Sequence, residues 1–201
     1  VSVSGSRFTG NVAGDEGGAI LAWNDAHLDV SGSTLTGNSS GDGLGGGGAI
    51  SIWNRAVVTI LDTTISGNTV TSAGGLSGGG AIGLLNEAKL TVERSAIDGN
   101  RVLVAPPDTG TLRGGGALYL LNAADATLVN TTVTGNTSAL PGGAFMLLNQ
   151  ARLRLVNATV AGNASDKAGG AFFNRENDAV TPGRLALGNT IVAGNIAAGL
   201  P

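Results

Sequence analysis

The sequence contains no cysteine, which removes disulfides and thiolate metal sites and leaves cysteine usage silent on compartment. One histidine, His27, excludes a multi-histidine metal site, and its outward phase in the pattern described below reads as solvated surface. Only 12% of residues are charged, about half the usual share. A net charge of −3 with no Lys/Arg run excludes the basic footprint of a nucleic-acid or anionic-membrane binder. No apolar stretch approaches the roughly 18 residues of a membrane-spanning helix, so no transmembrane segment is expected. Proline is scarce and no Gly-X-Y period exists, so the 35 glycines do not signal collagen. With 42% apolar residues, a folded core is within reach. The chain opens at Val1 with neither Met nor signal peptide, as a processed or excised segment would.

What is present is a repeat. Gly-Gly-Ala recurs from Gly17, Gly47, Gly79, Gly115, Gly142 and Gly169, at spacings of 30, 32, 36, 27 and 27 residues. From Gly-Gly to a closing Gly-Asn the first five units each hold 22 residues, so length variation falls after the Gly-Asn. Variable loops are therefore expected at 39–46, 69–78 and 101–114, emerging side by side from one corner. Within a unit apolar residues alternate, the strand period of two. Counting from the first Gly, position 4 reads Ile20, Ile50, Ile82, Leu118, Phe145, Phe172, and position 14 reads Val30, Ile60, Val92, Leu128, Leu155, Leu187. Positions 6, 12 and 19 behave alike. The pattern predicts an all-β fold, a parallel β-helix (solenoid) of about seven coils with three short strands each, over residues 1–201 as a single domain.

Two polar columns accompany the apolar ones: Asn24, Asn54, Asn86, Asn122 and Asn149, and Asn11, Asn38, Asn68, Asn100, Asn136, Asn163 and Asn195. Asparagine tolerates the left-handed conformation of a tight corner, and stacked amides can hydrogen-bond from coil to coil. Both columns are expected to be structural ladders.

Catalysis would need converging groups, such as a carboxylate pair or several oxygens around Ca²⁺. Asp15, Glu16, Asp42, Asp108 and Asp166 fall in loops of different coils, and Arg55 stands between Asp25 and Glu87 in their column. No catalytic, metal or cofactor site is expected. The Gly-rich stretch 41–48 lacks the Lys-Ser/Thr of a phosphate loop. Arg152, Arg154 and Arg184 share one outer face, in phase to hold an anionic sugar or to solubilise the surface. Outward positions 5 and 7 collect Trp23, Trp53, Leu85, Tyr119, Leu121, Met146 and Leu148. They form either an exposed interaction stripe or a surface over which the long loops fold.

These phrases resemble the paired GGA[ILV] and FxxN repeats in the passenger regions of polymorphic outer-membrane proteins and related bacterial surface β-helix proteins. Gly-Gly-Ala occurs six times, and the full FxxN once, at Phe8-Thr9-Gly10-Asn11; elsewhere Leu, Ile or Val replaces Phe. The resemblance implies a right-handed helix and an extracellular or cell-surface structural or adhesive rod without catalysis. Such a rod would self-associate, end to end or laterally, or meet a host or surface receptor or a polysaccharide. The alternative is a carbohydrate-active enzyme of the pectate-lyase-like type.

Overall fold

The computed structural model describes residues 1–41, 46–72, 78–104, 113–175 and 183–198. The third coil shows the plan: strands Ile82–Leu85, Lys89–Glu93, Ala96–Asp98 and Arg101–Val104. Each pairs in parallel with its equivalents one coil before and one coil after. Leu84 lies between Ile52 and Leu120, Thr91 between Thr59 and Thr127, Ile97 between Ile65 and Val133, and Val102 between Val70 and Ser138. The result is four parallel sheets, three of seven strands and one of six.

The coil thus has four sides rather than the three expected. The fourth begins directly after the Gly-Asn, where Ser39–Ser40, Thr69–Ser72, Arg101–Val104 and Thr137–Ser138 form strands. Strands of two to four residues whose inward position alternates between serine and valine show no clear apolar alternation, and so they read as the start of loops. Their inward residues Ser40, Val70, Val102 and Ser138, and Ser165 of the equivalent strand Ala164–Ser165, are buried. The remainder of the variable segments, at 42–45, 73–77 and 105–112, lies outside the described residues.

Corners hold the coil together because each has a residue able to turn it. The corner before the five-residue strand carries two consecutive left-handed residues, for example Asn86 and Glu87 at φ 54° and 62°. The next has one, such as Arg94 at 46° or Asn130 at 50°. The Gly-Gly motif does two separate jobs. Its first glycine is left-handed in five of the six coils, with φ near 73° at Gly79, Gly115 and Gly169. Its second lies against the next coil: a Cβ at Gly80 would stand 2.2 Å from the Gly116 carbonyl oxygen. The alanine that follows is buried in five of the six coils at 0–8% exposure, and coil-to-coil backbone bonds converge on it, as when Ala49 and Ile50 both donate to the Ala81 carbonyl.

One apolar core runs inside the four sheets, built from the inward columns: Ile50, Ile82, Leu118 and Phe145, then Ile60, Val92, Leu128 and Leu155, then Ile65, Ile97, Val133 and Val160. Each fully buried side chain of this size contributes about 1.5–3 kcal/mol before ordering entropy. Because every coil repeats the same contacts, stability is close to a sum over neighbouring pairs.

Candidate functional site

The apolar positions that point away from this core do not form an exposed stripe. Trp53, Leu85, Tyr119, Leu121, Met146 and Leu148 are each at most 7% exposed and pack with Phe173 into a second cluster on the outer face of the six-stranded sheet. Alternation places these side chains outside the coil, and that much follows from sequence. Outside one sheet is not the same as in water, because more chain can be laid over it. Gly78 and Gly114, joined by a parallel bridge, form part of that cover. A Cβ at Gly78 would come within 3.0 Å of the Tyr119 ring, and one at Gly114 within 2.9 Å of Met146 Sδ. Arg113 is buried beside them. Burial pushes the Tyr119 hydroxyl well above the usual phenol range, offset in part by the Arg113 charge. Trp23 is the exception: it is 44% exposed and tilts against Trp53 with ring centroids 5.6 Å apart.

The two asparagine columns occupy opposite environments. Asn38, Asn68, Asn100, Asn136 and Asn163 are fully buried. Each Oδ1 accepts both the backbone N–H and the side-chain amide of the asparagine one coil earlier, as Asn100 does from Asn68 at 2.9 and 2.9 Å. Each Nδ2 also donates to a carbonyl of the preceding coil, as Asn100 does to Ile65 at 3.0 Å. Asn11 opens this ladder and Asn195 closes it. The other column is at the surface or half-buried, and one side-chain bond joins successive members: Asn54 to Asn24, Asn86 to Asn54, Asn122 to Asn86, and Asn149 to Asn122. All five of its residues are left-handed, with φ between 49° and 55°.

A third polar column escaped the sequence reading. Ser33, Thr63, Ser95 and Thr131 are buried at the corner after the five-residue strand, and each hydroxyl donates to the carbonyl two residues earlier. Three of these oxygens also accept a backbone N–H from the previous coil: Ser6 to Ser33, Ser33 to Thr63, and Thr63 to Ser95. The signal was a recurrent Ser/Thr two residues before an inward apolar residue, which strand propensity alone also explains.

On the outer surface two arginines are paired with carboxylates along columns. Arg55 forks onto Asp25, with both N–O distances 2.9 Å, and Arg94 onto Asp62 at 2.9 and 3.1 Å while also touching Glu93. The hydrogen bond from Arg55 holds the Asp25 carboxyl below its usual range and raises the guanidinium in turn. A shallow hollow of about 400 Å³ runs along the exposed asparagine corner, lined by Asn86, Glu87, Asn122, Ala123, Asn149 and Gln150. Its lining holds one carboxylate and no nucleophile–base pair. Among the described residues no three His, Cys, Asp or Glu side chains come together as a cation cage would require. Among the described residues no helix is long and apolar enough to cross a membrane. Arg152, Arg154 and Arg184 are exposed and meet on adjacent strands.

A family described as right handed beta helix region matches residues 1–200. No curated protein and no solved structure matches the chain.

Proposed function

Since the chain belongs to the right-handed β-helix family, we propose that it is a non-catalytic structural or adhesive rod of the cell surface or extracellular space. Right-handed β-helices include both polysaccharide-acting enzymes and structural surface proteins, so the reading turns on how this chain uses its polar side chains. The observation that carries it is the buried ladder from Asn11 to Asn195. One asparagine in every coil is committed to joining that coil to the next. Two acidic residues at the corners, Asp25 and Asp62, are likewise tied to arginines. An enzyme of this fold would instead gather its polar groups on one outer face. The finer kinship, with the GGA[ILV] passenger regions of polymorphic outer-membrane proteins, rests on the six Gly-Gly-Ala phrases and brings the surface location with it.

Two measurements test this reading. Protease accessibility on intact source cells should degrade the protein while cytoplasmic markers survive; protection would remove the surface location. Incubation with polygalacturonate, xylan and heparin should release no new reducing ends. Turnover of any of them, abolished by a point substitution, would establish the enzyme reading instead.

A further inference from the structure

In-register coils bring together charges that are scattered in sequence. On the five-residue strands the first, third and fifth side chains point outward. In strands Arg152–Val156 and Arg184–Gly188 the first positions are both arginine and stand opposite each other, 32 residues apart along the chain. Arg154 lies two residues further along the same strand as Arg152. Neighbouring strands are about 4.8 Å apart and alternate residues about 6.6 Å apart, so three guanidinium groups rise from one small patch of sheet.

This arrangement differs from that of Arg55 and Arg94. Arg55 and Arg94 each fork onto a carboxylate one coil away. Arg152, Arg154 and Arg184 make no ion pair or side-chain hydrogen bond among the described residues, even though Asp125 is in register with Arg152 on its other side. Like charges directly opposite destabilise a sheet, and the Asp125 carboxylate beside Arg152 offsets only part of that repulsion. Beside the arginines the outward residues shrink to Ala186 and Gly188. That leaves a hollow of about 290 Å³ lined by Arg154, Val156, Ala186, Leu187, Gly188 and Asn189.

We propose that Arg152, Arg154 and Arg184 form a binding site for a linear anionic polysaccharide, with a sugar ring seated in the adjoining hollow. The inference rests on the surface-rod reading and names what such a rod would hold. A guanidinium fork matches a carboxylate or sulfate in two hydrogen bonds. Three forks on a flat, open floor suit charges that repeat along a chain, whereas a single compact anion would need an enclosing pocket. The floor carries no aromatic side chain on which a base could stack.

The test uses the whole chain and three labelled probes: polygalacturonate, which carries only carboxylates, heparin, which adds sulfates, and neutral dextran. One or both anionic probes should bind, and which one binds identifies the anion. Affinity should drop roughly tenfold or more between low and physiological salt, as expected when about three cations release counterions. The triple variant Arg152→Ala/Arg154→Ala/Arg184→Ala should bind about tenfold or more weakly while melting no lower than the parent, because it relieves repulsion. Arg7→Ala/Arg101→Ala, which removes exposed arginines from other sheets, should bind as the parent does. Equal binding by the triple variant, equal binding of dextran, tighter binding of single-stranded DNA, or no binding of either anionic probe would each overturn the proposal. None of those results bears on protease accessibility at the cell surface, so the two readings fail separately.

Discussion

Asn100 and Asn86 stand in the same coil, 14 residues apart, and each belongs to a column of asparagines. They are there for opposite reasons. Asn100 is fully buried and uses its whole amide: Oδ1 accepts two N–H groups from Asn68, and Nδ2 donates to Asn136 and Ile65. Asn86 is partly exposed, and its side chain makes one bond to the coil on either side. Its backbone is what matters, at φ 54°. One column selects asparagine for its hydrogen bonds, the other for its tolerance of left-handed geometry.

The largest predicted effect breaks the buried column. Asn100→Ala strands two buried donors of Asn68 and should lower stability by about 3 kcal/mol or more, measured by urea unfolding. Asn86→Ala comes second. It keeps a Cβ in a left-handed corner without the asparagine's local compensation, and should cost about 1 kcal/mol. Asn86→Gly should then stay within about 0.5 kcal/mol of the parent, because glycine supplies the same backbone freedom. If Asn86→Gly proved as harmful as Asn100→Ala, the exposed column would be a hydrogen-bonded ladder after all.

Ala123 sharpens the same contrast from the other side. It sits next to Asn122 at φ 58°, a left-handed position held by an ordinary side chain. Ala123→Gly should raise stability by about 0.5–1 kcal/mol, seen as a higher melting temperature. A loss would show that the methyl group is needed there for packing.

The smallest effect concerns the Asp25–Arg55 fork at that corner. The carboxyl is depressed below its ordinary 3.8 by the Arg55 hydrogen bond. The stabilisation is therefore present above that ordinary value and lost as pH falls through the lower folded one. Both side chains are about 60% exposed, so the effect should be slight and screened by salt. Comparing acid unfolding of the parent with Asp25→Asn should show a slightly smaller loss of stability below pH 4 in the variant. Identical acid limbs would remove the fork from the energetics.

Much of the solenoid is legible in the chain because period two and a coil-length repeat are local signals. The inward columns through Ile60, Ile65 and Ile82 follow from counting, and so do the corner positions of the two asparagine columns. The fourth side does not, because its strands hold only two to four residues and its inward position is serine in some coils and valine in others. The hydroxyl column from Ser33 to Thr131 is masked by the taste of strands for threonine. The outer cluster is the instructive open case, since an exposed stripe and a covered face are equally compatible with the pattern. Nothing in the spacing of Leu85, Tyr119 and Met146 distinguishes a side chain facing water from one facing a second layer.

The sequence by itself determined the all-β coil, its repeat, its inward face and its near-neutral composition, because each depends on residues close together along the chain. The tertiary structure alone decided which outward face is covered, which asparagine column is dry, and which arginines find a carboxylate. Those outcomes depend on stacking, which sets residues some 30 positions apart side by side at about 4.8 Å, a distance that local pattern does not encode.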